Sequence, residues 1–224
     1  MNKLISAIAI ISLSAISFAS AGIKTGISVA YTTLDAGGTE TQKDSSVKTT
    51  GSASEDVLIP AIFVEFGSED RGIFLGVDYT DVASLGSKSR DDTDATNRNT
   101  STSRAGKNTA SADVESLMSI YAIKTLGQSG LFVKVGYAQA DIITKEQLSS
   151  GSVYGNKSVS GYVFGAGIEK QDDSGYFFRV AGEYIDYDGI SLTGSEVGGT
   201  AGSFNKITAD VDSTALKISV GKSF

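Results

Sequence analysis

Seven charged side chains, Lys24, Glu65, Asp78, Lys134, Arg179, Glu183 and Lys217, stand singly inside stretches of otherwise mostly apolar or small residues. Groups of this kind can move protons, hold ions or pair with one another. Acid–base and nucleophilic chemistry near neutral pH draws heavily on histidine and cysteine, and the chain contains neither. No Gly-x-Ser-x-Gly turn is present to expose a nucleophilic serine. Asp186 and Asp188 border a polar stretch, where solvated acids are expected. In the segment RDDTDATNRN (90–99), Asp92-x-Asp94 lacks both the glycine and the distal glutamate of a calcium loop. Gly165-x-Gly167 lacks the third glycine of a nucleotide-binding turn and falls within a strand-like segment. The expectation is no catalytic residue, no cofactor and no metal, which leaves pairing as the chemistry of the seven charges.

Their positions are set by the elements that carry them. Apolar residues recur at every second place, the period of a strand with two unlike faces. The first segment sets Ile23, Thr25, Ile27, Val29 and Tyr31 against Lys24, Gly26, Ser28 and Ala30; the second runs through Leu58, Pro60, Ile62, Val64 and Phe66 with Glu65 opposite. The third has Ile73, Leu75, Val77 and Tyr79 against Asp78, and the fifth has Leu131, Val133, Val135 and Tyr137 against Lys134. Tyr162, Phe164, Ala166 and Ile168 make the sixth. Tyr176, Phe178, Val180 and Tyr184, against Arg179 and Glu183, make the seventh; Leu216, Ile218 and Val220, against Lys217, make the eighth. In the fourth, 113–125, two parities compete: Val114, Met118, Ile120 and Ala122 against Leu117, Ser119, Tyr121 and Ile123.

Short glycine-bearing turns, GSEDR (67–71), GQSG (127–130) and QDDSG (171–175), alternate with long polar connections at about 35–56, 83–112, 144–158 and 189–210. All the long connections fall at one end of the strands, the asymmetry of a barrel with one end in the periplasm and one in the medium. The expected fold is all-β: an eight-stranded antiparallel up-and-down transmembrane barrel.

Alternation alone leaves two barrels open, a soluble one with an apolar interior and a membrane one with a polar interior. Aromatic residues at the strand ends favour the second. Tyr31, Tyr79, Tyr137 and Tyr184 (with Tyr187) sit where strands meet long connections, and Phe66, Tyr176 and Phe224 near the short turns, as two interfacial girdles would. The seven charges then face the lumen, because a lysine or arginine at the bilayer midplane costs about 2–4 kcal/mol. Four are positive and three negative, with Glu115 a candidate fourth negative. An eight-stranded lumen is narrow enough to be filled by side chains, so these charges are expected to form a structural ion network.

Residues 1–21 carry Lys3, an apolar run from Leu4 to Phe18, and Ala19-Ser20-Ala21. This is the pattern of a cleaved export signal, with the barrel domain expected over 22–224. No cysteine is available for disulfides, and a net charge of −7 without a basic stripe argues against nucleic acid as a partner.

With these features the chain resembles the small bacterial outer-membrane β-barrel family, the opacity-like and OmpX-like eight-stranded proteins, over essentially all of Gly22–Phe224. The resemblance implies a porin-family type of barrel in the bacterial outer membrane, most simply a monomer. Its partners would be membrane lipid, lipopolysaccharide and, during insertion, the barrel-assembly machinery, which would read Leu216, Ile218, Val220 and the final Phe224. Relatives of this shape that are proteases, deacylases or palmitoyl transferases use a histidine, so the resemblance to them fails. Three readings of function follow: a structural and interaction protein displaying polar surface loops to an unidentified ligand, a small porin or narrow channel, or a soluble periplasmic binding barrel.

Overall fold

The computed structural model describes residues 22–41, 48–92, 96–97, 102–103, 106–147, 153–195 and 205–224. The expected export signal, Asp94 of the acidic segment and Asn99-Thr100-Ser101, a match to the glycosylation pattern, lie outside the described residues.

Eight long strands form the wall: β1 (Gly22–Thr41), β2 (Lys48–Ser68), β3 (Ile73–Asp92), β4 (Gly106–Leu126), β5 (Leu131–Gln147), β6 (Lys157–Gln171), β7 (Tyr176–Thr193) and β8 (Lys206–Ser223). Each pairs antiparallel with its sequence neighbours, and β8 pairs with β1 to close the barrel. The closing seam runs from Lys24↔Ser223 to Thr41↔Lys206, and the Phe224 N–H donates to the Ile23 carbonyl at 2.8 Å. A two-residue ladder, Thr96–Asn97 with Thr102–Ser103, stands apart from the barrel.

The short connecting turns are tight, spanning 69–72, 127–130 and 172–175. Gly130 has φ of 81°, and a Cβ there would come within 2.1 Å of the Glu169 carbonyl oxygen, so the turn admits only glycine. At the other end the strands run far into the stretches expected to be loops: β1 continues to Thr41, β2 begins at Lys48 and β3 reaches Asp92. Apolar alternation stops there because the outer face leaves lipid, yet the backbone ladder continues. In β1, Ile23 to Tyr31 is nine residues, close to the roughly 9–11 that cross a bilayer, and the rest of the strand projects beyond it.

The two parities of β4 are both right, in succession. Its register against β5 shifts between Glu115 and Met118, and Ser116 there has φ of 53°, a β-bulge. Val114 is buried before the bulge; after it Ser119, Tyr121 and Ile123 are buried and Ile120 faces out. A one-residue insertion exchanges the faces of a strand, which a fixed period of two cannot represent.

The ring is complete only in the membrane band. Among the described residues the β2–β3 ladder ends at Ile62↔Tyr79. Two residues further out stands Pro60, the chain's single proline, which has no N–H to offer. The Thr80 hydroxyl donates to its carbonyl at 2.7 Å. The β6–β7 ladder ends at Gly161↔Tyr187, and an isolated bridge, Tyr154↔Gly194, rejoins that side higher up.

Candidate functional site

All seven expected charges are inside the barrel. They form two clusters stacked along the axis. In the lower, Arg179 on β7 grips Glu65 on β2 with both terminal nitrogens, at 2.6 and 2.9 Å, and donates from Nε and Nη2 to Glu169 on β6 at 2.9 and 2.5 Å. Lys24 on β1 reaches Glu169 at 2.6 Å and Glu69, in the β2–β3 turn, at 3.1 Å. In the upper cluster Asp78 on β3 accepts from Lys134 on β5 at 3.1 Å and from Lys217 on β8 at 2.5 Å. Glu183 on β7 takes a second bond from Lys134 at 2.9 Å and lies 3.7 Å from Lys217. The Tyr121 hydroxyl joins the layers, within 2.9 Å of Glu65 and 3.1 Å of Asp78.

Three participants were missed from sequence. Glu169 continues the inward parity of Gly165 and Gly167 by one further step, beyond the expected end of the sixth segment at Ile168. It is the fourth lumen anion, in place of Glu115, which lies at the outer rim near Lys145. Four cations, Lys24, Lys134, Arg179 and Lys217, thus face four anions, Glu65, Asp78, Glu169 and Glu183, and these eight groups sum to zero charge. Glu69 adds a half-exposed carboxylate at the short-turn mouth of the barrel. Tyr121 sat on the undecided face of the fourth segment.

Aromatic rings fill the space between the charges. Phe63, Phe74, Tyr121, Phe132 and Phe177 are all buried. Their rings lie over glycines of neighbouring strands; a Cβ on Gly76 would meet the Tyr121 ring at 2.5 Å, and one on Gly167 the Phe132 ring at 2.7 Å. Lys24 sits 4.2 Å from the Phe74 ring centre and Lys134 sits 3.8 Å from that of Tyr121, so cation–π contacts supplement the ion pairs. A cavity of about 60 Å³ lies above the upper cluster, with Leu117, Ile185 and Tyr187 among its walls and Asp78 and Lys217 at its floor. Such a space holds a water or two, not a solute. Among the described residues no group of three or more potential ligands could hold a metal ion.

The outer face carries the expected aromatics. Tyr31, Tyr137, Tyr176 and Tyr184 are exposed on the lipid side, with Phe66 and Tyr79 half-exposed on the same face. Tyr162 joins them, packed edge-on against Tyr137 at 5.8 Å. Tyr187, grouped with this girdle on sequence, points inward instead and packs beside Val114, Ala140 and Val159. It is three residues from Tyr184 and so on the opposite face. Leu216, Ile218, Val220 and Phe224 form one outward column on β8, between 45% and 73% exposed. At the outer rim, clear of the membrane band, Asp113 is paired with Lys145. That hydrogen bond holds the Asp113 carboxyl below its ordinary value and raises the Lys145 ammonium.

An apolar outer face over a lipid thickness, around a charged and filled lumen, defines a membrane-spanning β-barrel of the bacterial outer-membrane type. Solved structures share the fold. The outer membrane protein OprG of Pseudomonas aeruginosa aligns with a TM-score of 0.57 at 13% identity, over 92% of this chain and 96% of that one. The outer membrane protease OmpT of Escherichia coli aligns with a TM-score of 0.50 at 8% identity, over 91% and 97%. No family model matches the chain, and no curated protein sequence matches it.

Proposed function

We propose that the protein is an outer-membrane display scaffold. Its barrel carries no solute, and its role is exercised by the wall and loops that stand outside the bilayer. The observation that supports this most directly is the neutral plug of four cations, four anions and five aromatic rings across the lumen. Opening a path would separate charges buried at no more than about 16% exposure, which is strongly unfavourable. The absence of histidine from the whole chain supports a non-catalytic role. The apolar outer face argues against the soluble periplasmic barrel.

In the same reading, residues 1–21 are removed on export. The column ending at Phe224 is the signal taken up by the assembly machinery, and the tyrosine girdle meets lipopolysaccharide. The barrel works as a monomer, and its surface ligand is unidentified. The test is conductance of the folded protein in a planar bilayer. Current at background level for both the wild type and Lys217→Gln supports the scaffold. Defined current steps that change when Arg179 or Lys217 is neutralised would establish the small porin instead.

A further inference from the structure

One charge on the lipid-facing wall is not explained by the fold. The outward column of β8 runs Leu216, Ile218, Val220, Lys222, Phe224, and its only charged side chain is that of Lys222. Its Nζ lies 4.9 Å from the ring centre of Tyr176 and 5.3 Å from that of Phe224, so two interfacial aromatics hold the ammonium at the periplasmic rim. Lys222 and Lys170 line one groove on the outside of the barrel, of about 740 Å³. Its apolar wall includes Ile27, Phe178 and Val220, each 47–60% exposed to lipid. Lys170 places one N–H on the Ser129 carbonyl at 3.0 Å and has two more to offer. Asp172, the carboxylate at this groove, is turned to its own backbone, with Oδ1 accepting from the N–H groups of Ser174 and Tyr176 at 2.9 Å.

We propose that this groove is a binding site for an anionic phospholipid of the periplasmic leaflet, with its phosphate between Lys170 and Lys222 and an acyl chain along Ile27, Val220 and Phe178. Charge complementarity selects this occupant. On the lipid face at the short-turn end Lys124 and Lys170 are exposed and Lys222 is half-buried, and the exposed Asp70, Asp172 and Asp173 lie in the turns below them, whereas exposed Asp35, Asp56, Asp81 and Asp186 stand above the tyrosine girdle at the other end. A headgroup with net negative charge is therefore attracted to the two lysines of the groove, whose one carboxylate is engaged by its own turn. Each lysine close to an anionic headgroup contributes about fivefold in association.

The chain has no tryptophan, so one introduced residue reports one place on the wall. Phe178→Trp puts the probe in the groove, and Phe66→Trp puts it on β2, two strands from Lys222 and four from Lys170. The full-length protein carrying either probe is folded into phosphatidylcholine vesicles containing brominated phosphatidylglycerol or brominated phosphatidylcholine, and quenching gives relative local association. At position 178 phosphatidylglycerol should be preferred several-fold. Lys170→Gln with Lys222→Gln should abolish that preference, and the arginine pair should retain it. Quenching at position 66 should be unchanged by either pair. Equal quenching by both lipids at 178, or a preference that survives the double glutamine substitution, would overturn the proposal. A heat-dependent mobility shift in detergent shows that each variant has folded, so loss of preference is not loss of the barrel.

Discussion

The membrane band and the outward extension of the same eight strands are built with opposite polarity. In the band Ile27, Val135 and Ile218 face out and Glu65, Asp78 and Arg179 face in. In the extension Asp35, Asp56 and Ser54 face out, while Val57, Val114, Ala140 and Val159 are buried. The backbone barely changes across the boundary; the solvent does. Lipid removes the cost of exposing an apolar side chain and imposes one on a charge, whereas water does the reverse. The two regions also differ in closure. Hydrocarbon tolerates no unpaired strand edge, so the band is a complete ring, whereas water can satisfy the edges of β2 and β3 where they part above Pro60.

The largest effect that would break this comparison is the loss of Arg179. Arg179→Ala leaves Glu65, which is fully buried, without its cation and should cost about 3–5 kcal/mol in urea unfolding of the vesicle-folded protein. Arg179→Met combined with Glu65→Leu should lose clearly less, since the lumen stays neutral. An equal loss would mean that the pair does not act as a unit.

Next in size is a matched pair of outward substitutions. Val135→Lys, in lipid, should cost about 2–4 kcal/mol. Ser54→Lys, exposed in the extension, should change stability by no more than about 0.5 kcal/mol. Similar costs in the same unfolding experiment would place the membrane boundary elsewhere.

A smaller difference should appear in hydrogen exchange. Amides of β2 between Lys48 and Leu58 that face the parted edge should exchange faster than those from Ile62 to Phe66, which the ladder to β3 protects. Uniform protection along β2 would contradict the parting.

The smallest effect is confined to the rim. Asp113 titrates below its ordinary 3.8 and Lys145 above its ordinary 10.5 because each bonds the other. The pair therefore supports the rim between about pH 4 and pH 10. Its contribution fades as pH falls through the depressed carboxyl value, or rises through the elevated ammonium value. Proteolysis near residue 113 should increase at the acid end in the wild type and show a weaker pH dependence in Asp113→Asn, with the barrel itself unaffected.

Much of the site was legible in sequence because a strand between lipid and a polar lumen writes its two faces as strict alternation. Lys134 amid Val133 and Val135 admits one placement, and so does Lys217 between Leu216 and Ile218. Legibility failed where alternation weakens. Glu169 followed Ile168 at a turn, and the parity of Tyr121 was hidden by the bulge at Ser116. Tyr187 was wrongly grouped with the outer girdle because nearness to a strand end outweighed its odd spacing from Tyr184. The extension read as loop because water on the outside and small residues such as Gly37, Gly38, Ser52 and Ala53 leave little apolar contrast.

By itself the sequence determined the all-β class, the sidedness of most membrane-band residues and the seven lumen charges, because transfer between lipid, water and a polar lumen discriminates residue types strongly and locally. The tertiary structure alone decided which charge meets which, the inclusion of Glu169 and Tyr121, the parting of β2 from β3, and the groove that brings Lys170 of β6 beside Lys222 of β8. These depend on register across strands remote in the chain, from Lys24 to Glu169 and from Asp78 to Lys217, and pairing at that distance is set by barrel closure and not by local spacing.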